Sequence, residues 1–449
     1  MEIVKKNVTK VDIRTAEEKA LLCVPSPRQK ALQKMGFYFF IHFGMNTFSG
    51  KEWGSGKEDP ALFCPKKKID TDQWARVAKE TGAGAIIFTA KHHEGFCLWQ
   101  TNTTEHSIKN SPYQGGKGDV VRDLAESCKK YGVKLGFYLS PADRNSEYFG
   151  TDKYNDYYCE QLTELLTNYG EIFCLWLDGA DGGTKADGKH QEYDYERYFQ
   201  TARKLQPDIL LANGGPDVRW VGNEDAKTRE KEWSVVPACV CPSLLKKYKG
   251  DAPAPTQMDE DLGSLDLLAR FEEYLWYPAE VDYSLHKGWF YHPLQQPRSL
   301  KKLYSAYMRT IGGNGLFLLN IPPDKNGRFA SRDVRRLKQL KKKVDKTFRT
   351  KLSDRFAKTT EGAYLAIPQE NSKVRTVVLR ENVDFSQRVE AFSLLFFDDG
   401  KRVYEFSGST IGFSCFVTLK KPVVCDQVVL RINSHRGERI YLDAFELYS

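Results

Sequence analysis

Long apolar runs are missing from this 449-residue chain, which nowhere reaches the roughly 18 consecutive apolar residues that a membrane-spanning helix needs. Residues 1–6 also lack the continuous apolar core of a secretory signal. We therefore expect no membrane span and, for the sequence as it stands, a cytoplasmic protein. If a leader has been removed, the expected location is instead the periplasm or the exterior of the cell.

Clustered cysteines and clustered charge are missing as well. The ten cysteines form no Cys-x-x-Cys pair and are dispersed, several of them in apolar segments, which indicates buried free thiols rather than a zinc site or a disulfide framework. The net charge of +8 is spread along the chain, and its densest basic run, 335–349, has the spacing of an amphipathic surface helix. We expect no nucleic acid partner.

A glycine-rich phosphate loop is also missing, since Gly44-Met45-Asn46-Thr47 after the first strand-like run does not have its spacing. Apolar strand-like runs nevertheless alternate with segments of helical periodicity. This alternation favours a (β/α)8-like barrel over a doubly wound sheet. The predicted strands are 36–43, 83–89, 133–139, 172–177, 209–212 and 315–320, and the predicted helices are 70–80, 119–131, 154–169 and 193–205.

The hydrophobic pattern of the sequence changes after the basic helix. Alternating apolar and polar residues separated by turn signals predict an all-β C-terminal domain, most simply a sandwich. We place a catalytic barrel at 1–345 and the sandwich at 346–449, and we interpret 242–264 as a long loop on the functional rim of the barrel. The predicted sandwich strands are 376–379, 388–397, 402–406, 415–419 and 427–432.

Carboxylates follow two of the strand-like runs. Asp178 ends the buried run 173–177, and Glu224 lies 46 residues further on. An Asp-Gly pair after a strand is common turn chemistry, but in a barrel such positions face one cavity, where two carboxylates suggest acid/base chemistry on a sugar. Imidazole and guanidinium groups bind sugar hydroxyls and tryptophan stacks on sugar rings. The other polar and aromatic residues at predicted strand ends are His42, Glu52, Trp53, His92, His93, Tyr138, Trp176, Arg219 and Trp220.

The pair His92-His93 suggests a metal site at first sight. Adjacent residues on an extended strand point to opposite faces, so one ion would rarely bind both, and no His-Glu-x-x-His motif accompanies them. We therefore expect neither a metal nor another cofactor. A metal-dependent hydrolase that uses His92 or His93 with Asp178 remains an alternative. Treatment with a chelator would inactivate such an enzyme and would leave a metal-independent enzyme active.

Taken together, these motifs resemble the α-L-fucosidases of glycoside hydrolase family 29. The match extends from about residue 36 to the C-terminus, and its later part looks like the branch that cleaves α-1,3/4-linked fucose on Lewis-type glycans. The motifs that carry the resemblance are His42-Phe43-Gly44-Met45-Asn46-Thr47, Glu52-Trp53-Gly54, Thr89-Ala90-Lys91-His92-His93-Glu94-Gly95-Phe96, Gly136-Phe137-Tyr138-Leu139-Ser140-Pro141, Trp176-Leu177-Asp178-Gly179-Ala180, Gly215-Pro216-Asp217-Val218-Arg219-Trp220-Val221-Gly222-Asn223-Glu224, Glu232-Trp233, Gln387-Arg388-Val389 and Gly408-Ser409-Thr410-Ile411-Gly412.

The resemblance implies a retaining exo-fucosidase. Asp178 would be the nucleophile and Glu224 the acid/base, with Glu232 as second choice, and the two carboxyls would lie about 5–5.5 Å apart. The substrate would be a terminal α-1,3/1,4-linked fucose on a branched oligosaccharide or glycoconjugate. The alternatives are a fucosidase of broader linkage that acts on simple fucosides, and a carbohydrate-binding protein without activity. The residues expected to bind the sugar are His42, Glu52, Trp53, His92, His93, Tyr138, Trp176, Arg219, Trp220 and Trp289.

Two further points concern the sugar methyl group and the later acidic residues. Phe43 and Trp289 are candidates for contact with the C6 methyl of fucose, from strand-end position only. The segment with Glu280 and Asp282 belongs either near the leaving-group sugar or in a later barrel strand. The sequence gives no indication of the oligomeric state.

Overall fold

The computed structural model describes residues 8–9, 15–179, 188–368 and 372–449. Ala180, the last residue of the Asp178 motif, lies outside the described residues.

Eight parallel strands form a nearly closed barrel. The strands are β1 Phe37–Ile41, β2 Ala85–Lys91, β3 Lys134–Leu139, β4 Cys174–Leu177, β5 Leu210–Asn213, β6 Arg219–Trp220, β7 Ala279–Ser284 and β8 Gly315–Asn320. Around the barrel the order is β5-β4-β3-β2-β1-β8-β7-β6, and a parallel bridge between Ala212 and Val218 joins the two ends. Six of the eight strands lie where the sequence predicts them; β6 was not predicted as a strand, and a later barrel strand was one of the two positions left open for β7.

Strands such as β1 and β4 are apolar throughout because both of their faces are buried. In β1, alternate residues Phe37 and Phe39 pack outward against the helices, whereas Tyr38 and Phe40 fill the barrel interior. The same alternation continues around the barrel, so the interior is a packed core and not a pore. Its interior layer includes Tyr38, Phe40, Ile87, Tyr138, Trp176, Leu316 and Leu318.

Helices follow most of the strands and are delimited by local signals. The side chain of Asp119 caps α5 by accepting from the backbone N–H of Arg122 at 2.8 Å, and Gly132 ends the same helix in the left-handed conformation, as the sequence predicts. Among the described residues, no helix is long and apolar enough to cross a bilayer. The helices are α1 Ala16–Leu22, α2 Pro27–Met35, α3 Met45–Ser49, α4 Thr71–Thr81, α5 Val120–Tyr131, α6 Lys153–Asn168, α7 Tyr195–Leu205, α8 Pro242–Leu245, α9 Leu265–Leu268, α10 Leu300–Ile311 and α11 Ser331–Thr347.

Three further features belong to the barrel part of the chain. Val8–Thr9, Tyr274–Trp276 and Val235–Pro237 form a small antiparallel sheet. The segment 242–264, predicted as a loop, contains the single-turn helix α8 and is otherwise irregular. The predicted basic helix is the amphipathic α11, which buries Leu337 and Leu340.

Two antiparallel sheets form the C-terminal domain. One has the order β9-β17-β12-β15 and the other β10-β11-β16-β13-β14, and their facing residues form one apolar core. The barrel architecture ends with α11 at Thr347, and the first sandwich strand begins at Lys351. The strands are β9 Lys351–Ser353, β10 Phe356–Lys358, β11 Tyr364–Ala366, β12 Lys373–Glu381, β13 Val389–Asp398, β14 Lys401–Gly408, β15 Cys415–Val424, β16 Gln427–His435 and β17 Leu442–Tyr448.

The cysteines are all free thiols. Eight are buried and Cys415 is half-buried, which agrees with the expectation from the sequence. Cys64 is exposed, so that expectation is wrong for this one residue.

A buried ion pair ties the ends of β2 and β3 together. Lys91 Nζ lies 3.0 Å from Asp143 Oδ2 and 2.8 Å from Gln161 Oε1, and both charged side chains are fully buried. Burial by itself would raise the pKa of Asp143, but the Lys91 ammonium and two backbone N–H donors lower it below its ordinary value. The pair fixes the segments that leave these two strands.

Lys91→Met should therefore destabilise the protein by about 3–5 kcal/mol, because Asp143 becomes a buried carboxylate without its cation. Urea unfolding measures this loss, and Lys91→Met/Asp143→Asn should recover part of it, because an amide oxygen still accepts from the two backbone N–H groups and carries no charge. The matched control is Lys130→Met, which removes an exposed partner of Asp72 and should change the unfolding free energy little. Equal losses in Lys91→Met and Lys130→Met would contradict the assignment.

Candidate active site

The carboxylate of Asp178 lies at the C-terminal edge of the barrel, directly after β4. Tyr138, on the neighbouring β3, donates a hydrogen bond from its hydroxyl to Asp178 Oδ2 at 2.8 Å, and His93 Nε2 lies 3.5 Å from the same oxygen. Burial, followed by the charge of Asp178, raises the pKa of Tyr138 well above its ordinary value, so the phenol remains a donor. The Asp178 side chain is 19 % exposed and can be reached from outside.

His93 is held in one orientation by its other ring nitrogen. Nδ1 lies 2.7 Å from Ser140 Oγ, and Ser140 in turn donates to the carbonyl oxygen of Ala142 at 2.7 Å. With the serine hydrogen so directed, Nδ1 carries the imidazole hydrogen and Nε2 is an acceptor toward the cavity. Burial lowers the pKa of His93 to about 4, so the ring is neutral at neutral pH.

His42 and His92 face the same cavity. His42 Nδ1 lies 2.9 Å from the amide oxygen of Asn320, while His92 Nδ1 lies near Asn46 Nδ2 at 3.2 Å and Glu94 Oε2 at 3.3 Å. Burial lowers the pKa of His42 well below its ordinary value and that of His92 to about 4. Each imidazole is thus fixed through Nδ1, and its other edge is available to a ligand.

The sequence-based argument that His92 and His93 point to opposite faces is wrong. It assumed an extended strand, but β2 ends at Lys91, and the two rings turn into one cavity with their centroids 4.3 Å apart. Within residues 15–179, 188–368 and 372–449, no three His, Cys, Asp or Glu side chains are grouped so that they could hold a metal ion.

Aromatic rings surround these polar groups. Trp176 stacks on Tyr138 with centroids 5.5 Å apart, and Trp289 lies 5.2 Å from the ring of His42. Trp53 is 45 % exposed and lies 4.7 Å from the ring of His93, with the Arg144 guanidinium 5.1 Å from its own ring. The exposed Trp53 and the half-buried Trp289 offer stacking surface to a sugar, whereas Trp176 is buried.

Only one of the two candidates for contact with the C6 methyl lies at the site. Trp289 lies in the cavity beside His42, whereas Phe43 packs among Phe48, Phe63 and Trp74 on the outer side of the barrel. The suggestion of Phe43 is therefore wrong, because its side chain points toward the helices.

Glu52 links two loops of the rim. Its Oε2 accepts hydrogen bonds from the backbone N–H of Trp289 at 2.8 Å and of Phe290 at 3.4 Å, and its Oε1 lies 3.4 Å from His292 Nε2. The carboxylate thus fixes the segment that carries Trp289 while remaining about one-third exposed.

Two buried carboxyls on β7 lie beneath the aromatic rings. Trp176 Nε1 donates to Glu280 Oε1 at 2.6 Å, and Trp220 Nε1 donates to Asp282 Oδ1 at 2.7 Å. Burial raises the pKa of Glu280 to about 7, and burial with the charges of Glu224, Glu280 and Asp178 raises that of Asp282 well above its ordinary value. Of the two positions open to this segment, the structure places it in a barrel strand, where it orients two tryptophans.

Glu224 lies on the loop that follows β6 and is exposed. Partial burial of its carboxyl, followed by the charge of Asp178, raises its pKa above the ordinary value for glutamate. The two carboxyls are therefore electrostatically coupled and have different environments, one hydrogen-bonded by Tyr138 and the other on a loop.

Arg219 and Glu232 do not join this group. Arg219 is fully buried and binds Glu232 Oε1 through Nη2, the carbonyl oxygen of Tyr277 at 3.0 Å through Nε and that of Trp233 at 3.1 Å. Glu232 is also buried and binds Arg229. This pairing favours a structural role for both residues over sugar binding or acid/base chemistry.

Sequence reasoning missed several residues that complete the site. Phe290 packs edge-on against His42 and His92, with centroids 5.4 and 5.1 Å away. Asn320 orients His42, and it is the last residue of a predicted strand, so the strand-end rule applied to β8 would have identified it. Asn46 and Glu94 stood in the quoted motifs but had no assigned role; they hold Nδ1 of His92.

Comparison with known proteins identifies the family of this chain. The family described as Alpha-L-fucosidase matches residues 46–346. Alpha-L-fucosidase 1 of Arabidopsis thaliana is 38% identical over 335 residues, which cover 74% of this chain and 62% of the plant protein. This chain covers 58% of a second plant relative, from Oryza sativa subsp. japonica, so it spans about three-fifths of the length of these two relatives.

Solved structures show the same fold. A Bacteroides ovatus protein provisionally named an alpha-L-fucosidase superposes with a TM-score of 0.91 at 40% identity, over 98% of this chain and 77% of that one. A glycoside hydrolase 29 family member from a rumen bacterium gives a TM-score of 0.82 at 33% identity, over 95% and 77% of the two chains. By sequence and by fold, the chain belongs to the α-L-fucosidase family.

Proposed function

We propose that this protein is a retaining exo-α-L-fucosidase that removes terminal α-1,3/1,4-linked L-fucose from branched Lewis-type oligosaccharides and glycoconjugates. The observation that carries the proposal is the pair of unequal carboxyls. Asp178 accepts a hydrogen bond from Tyr138 at the barrel edge, and Glu224, on the neighbouring loop, has a pKa raised by burial and by the charge of Asp178. One ionised and one protonated carboxyl are what double displacement requires.

In the first step, Glu224 donates its proton to the glycosidic oxygen as the bond from the anomeric carbon to that oxygen breaks. The aglycone leaves as an alcohol, and Asp178 forms a covalent bond to the anomeric carbon. In the second step, Glu224 removes a proton from water, the water oxygen bonds to the anomeric carbon, and Asp178 leaves as a carboxylate. Two displacements return fucose with its original configuration.

Neutral imidazoles recognise the sugar hydroxyls. His42, His92 and His93 are each fixed through Nδ1, so their remaining edges are preorganised to accept or donate hydrogen bonds. Trp289 and Phe290 beside His42 offer an apolar surface to the C6 methyl. Polar contacts discriminate sugar configuration strongly, whereas an apolar pocket rejects an added hydroxyl only modestly.

The linkage preference rests on the loop that carries Glu224. Its sequence, from Gly215 to Glu224, resembles the branch that cleaves α-1,3/4-linked fucose. This loop approaches the segment 242–264 so closely that a Cβ on Gly222 would lie 2.2 Å from the carbonyl oxygen of Gln257. An exposed acid/base between two rim segments suits a branched aglycone better than a small aryl group.

Release of free fucose from Lewis a and Lewis x trisaccharides, beside 4-nitrophenyl α-L-fucoside, tests the activity and the linkage together. We expect the native enzyme to act on the trisaccharides and hardly on the aryl fucoside. Asp178→Asn should lower kcat by about a thousandfold or more, because it removes the nucleophile without changing its shape. The control Asp225→Asn removes an exposed charge beside Glu224 and should retain activity.

Each remaining outcome selects an alternative. Cleavage of the aryl fucoside alone would keep the fucosidase and overturn the linkage preference. Release of fucose from neither substrate, with binding of fucosylated glycans retained, would favour the carbohydrate-binding protein.

The pH dependence of kcat/KM should reflect the two kinds of titrating group. Glu224 acts as an acid, so activity falls as the pH rises through its pKa, and the raised pKa places this alkaline limb above that of an ordinary glutamate. On the acidic side, activity should decline near pH 4, where His92 and His93 become protonated. Glu224→Gln should lower kcat on the trisaccharides by about 10²–10⁴-fold and abolish the alkaline limb. An alkaline limb that persists in this variant would rule out Glu224 as the acid.

Stereochemistry provides an independent check of the mechanism. Proton NMR in the first moments of hydrolysis should show α-L-fucose before mutarotation produces the β anomer, because two inversions at the anomeric carbon give net retention. Initial appearance of the β anomer would indicate a single displacement and would remove the nucleophile role from Asp178.

A further inference from the structure

The loop 222–228, which carries Glu224, is anchored at both ends. At its start, the backbone N–H of Val221 donates to the carbonyl oxygen of Glu280 at 2.9 Å, and the carbonyl oxygen of Val221 accepts from Arg229 Nη1 at 3.0 Å. At its end, the backbone N–H of Arg229 donates to Glu232 Oε2 at 3.0 Å. Arg229 thus contacts both ends of the acid/base loop.

Glu232 is the centre of this anchorage. Its carboxylate pairs with Arg219 through Oε1 and with Arg229 through Oε2, and all three side chains are more than nine-tenths buried. Arg229 also donates from Nε to the carbonyl oxygen of Asp259 at 2.7 Å, so the rim segment 242–264 is joined to the same network. The position of Glu232 therefore determines where the ends of the loop lie.

The sandwich domain holds the backbone of Glu232. Gln387, which is 1 % exposed, donates from Nε2 to the carbonyl oxygen of Glu232 at 2.9 Å and accepts from the backbone N–H of Ser234 at 2.9 Å through Oε1. Ser409 donates from its hydroxyl to the carbonyl oxygen of Glu230. Gln387 and Ser409 belong to the two sandwich motifs that resemble the family, and neither residue takes part in the proposed catalytic steps.

We propose that Gln387 is a positioning residue, and that through Glu232 and Arg229 the sandwich domain sets the position of Glu224 for proton transfer. The inference rests on the proposed fucosidase activity. A general acid must lie within hydrogen-bond reach of the leaving oxygen, and a displacement of about 1 Å can cost a hundredfold in rate. Asp178 is attached directly to a barrel strand, so its position does not depend on Gln387.

Two substrates distinguish a positioning role from a general structural one. The leaving alcohol of the Lewis x trisaccharide needs a proton from Glu224, whereas the fluoride of α-L-fucosyl fluoride is small and departs with little help from an acid. For Gln387→Met, we expect kcat/KM to fall at least about tenfold on the trisaccharide and less than about threefold on the fluoride, because kcat/KM reports only the steps up to the covalent intermediate. The alkaline limb on the trisaccharide should also move to lower pH, as a displaced Glu224 loses the neighbouring charge of Asp178.

The matched control is Ser386→Ala. Ser386 is the neighbour of Gln387 and also joins the sandwich to the barrel, but its hydroxyl donates to the carbonyl oxygen of Ala20 in α1 at 2.8 Å and not to the acid/base loop. This variant should keep the native ratio between the two substrates. If Gln387→Met does not fold, Ser409→Ala removes only the contact with Glu230 and should produce a selective loss of the same kind, about two- to fivefold, as expected when one weak hydrogen bond is lost.

Equal losses of Gln387→Met on both substrates would show a general structural role and overturn the proposal. Unchanged activity on both would do so as well. An inactive native enzyme on both substrates would instead overturn the proposed function, so the two failures are distinguishable.

Discussion

The common direction and register of eight parallel strands is the constraint on which the site depends. Tyr138 of β3 is paired with Trp176 of β4, so Asp178, two residues further along, comes within reach of the Tyr138 hydroxyl at the barrel edge. Side chains alternate between the interior and the helices, and a shift of one residue would turn Tyr138 and Trp176 toward the helices. The rings of Tyr138 and Trp176 both fill the barrel interior and form part of the site. The packing of the interior and the geometry of the site therefore depend on the same strand register.

Beneath the site, the barrel interior contains two buried carboxyls that are held by neutral donors. Glu280 and Asp282 are hydrogen-bonded by tryptophan N–H groups, and their pKa values are raised by burial. The ionised pairs Lys91–Asp143 and Arg219–Glu232 belong to other parts of the structure and fix strand ends and loops. The raised pKa values of these two carboxyls reduce the negative potential that they add beneath Asp178.

The sequence predicted those parts of the fold whose causes are local. Helix α5 was delimited by Asp119 and Gly132, which act through their own neighbours, and six barrel strands were apolar enough to be recognised. Strand β6 has only two residues, too few to show a period, and it was missed for this reason. Strand β7 carries Glu280, Asp282 and Ser284 on one face, and because acidic residues also suit a segment near the leaving-group sugar, the sequence left two positions open for it.

The sequence predicted the site residues whose positions follow from strand ends. It did not predict those whose positions depend on tertiary pairing. His42, His92, His93, Tyr138, Trp176 and Asp178 all meet in the cavity. The pairing of Arg219 with Glu232 depends on the fold of residues between them, and the outward direction of Phe43 depends on how the chain leaves β1, neither of which a linear pattern specifies.

The two proposed catalytic carboxyls meet different demands, and the structure holds them in different ways. A nucleophile attacks a single atom, and Asp178 directly follows β4, where Tyr138 donates a hydrogen bond to its carboxylate. An acid/base must meet both the sugar and a variable aglycone, which requires exposure, and an exposed loop has few contacts of its own. Buried charges anchor the ends of the loop, and the backbone contacts of Gln387 hold those charges in place. The carboxyl of Glu224 therefore stays accessible, while the positions that it can take are limited. The burial of two arginines around one glutamate is costly in itself, so its value lies in the fixed geometry that the charge-assisted hydrogen bonds of Arg219 and Arg229 to Glu232 give to the loop.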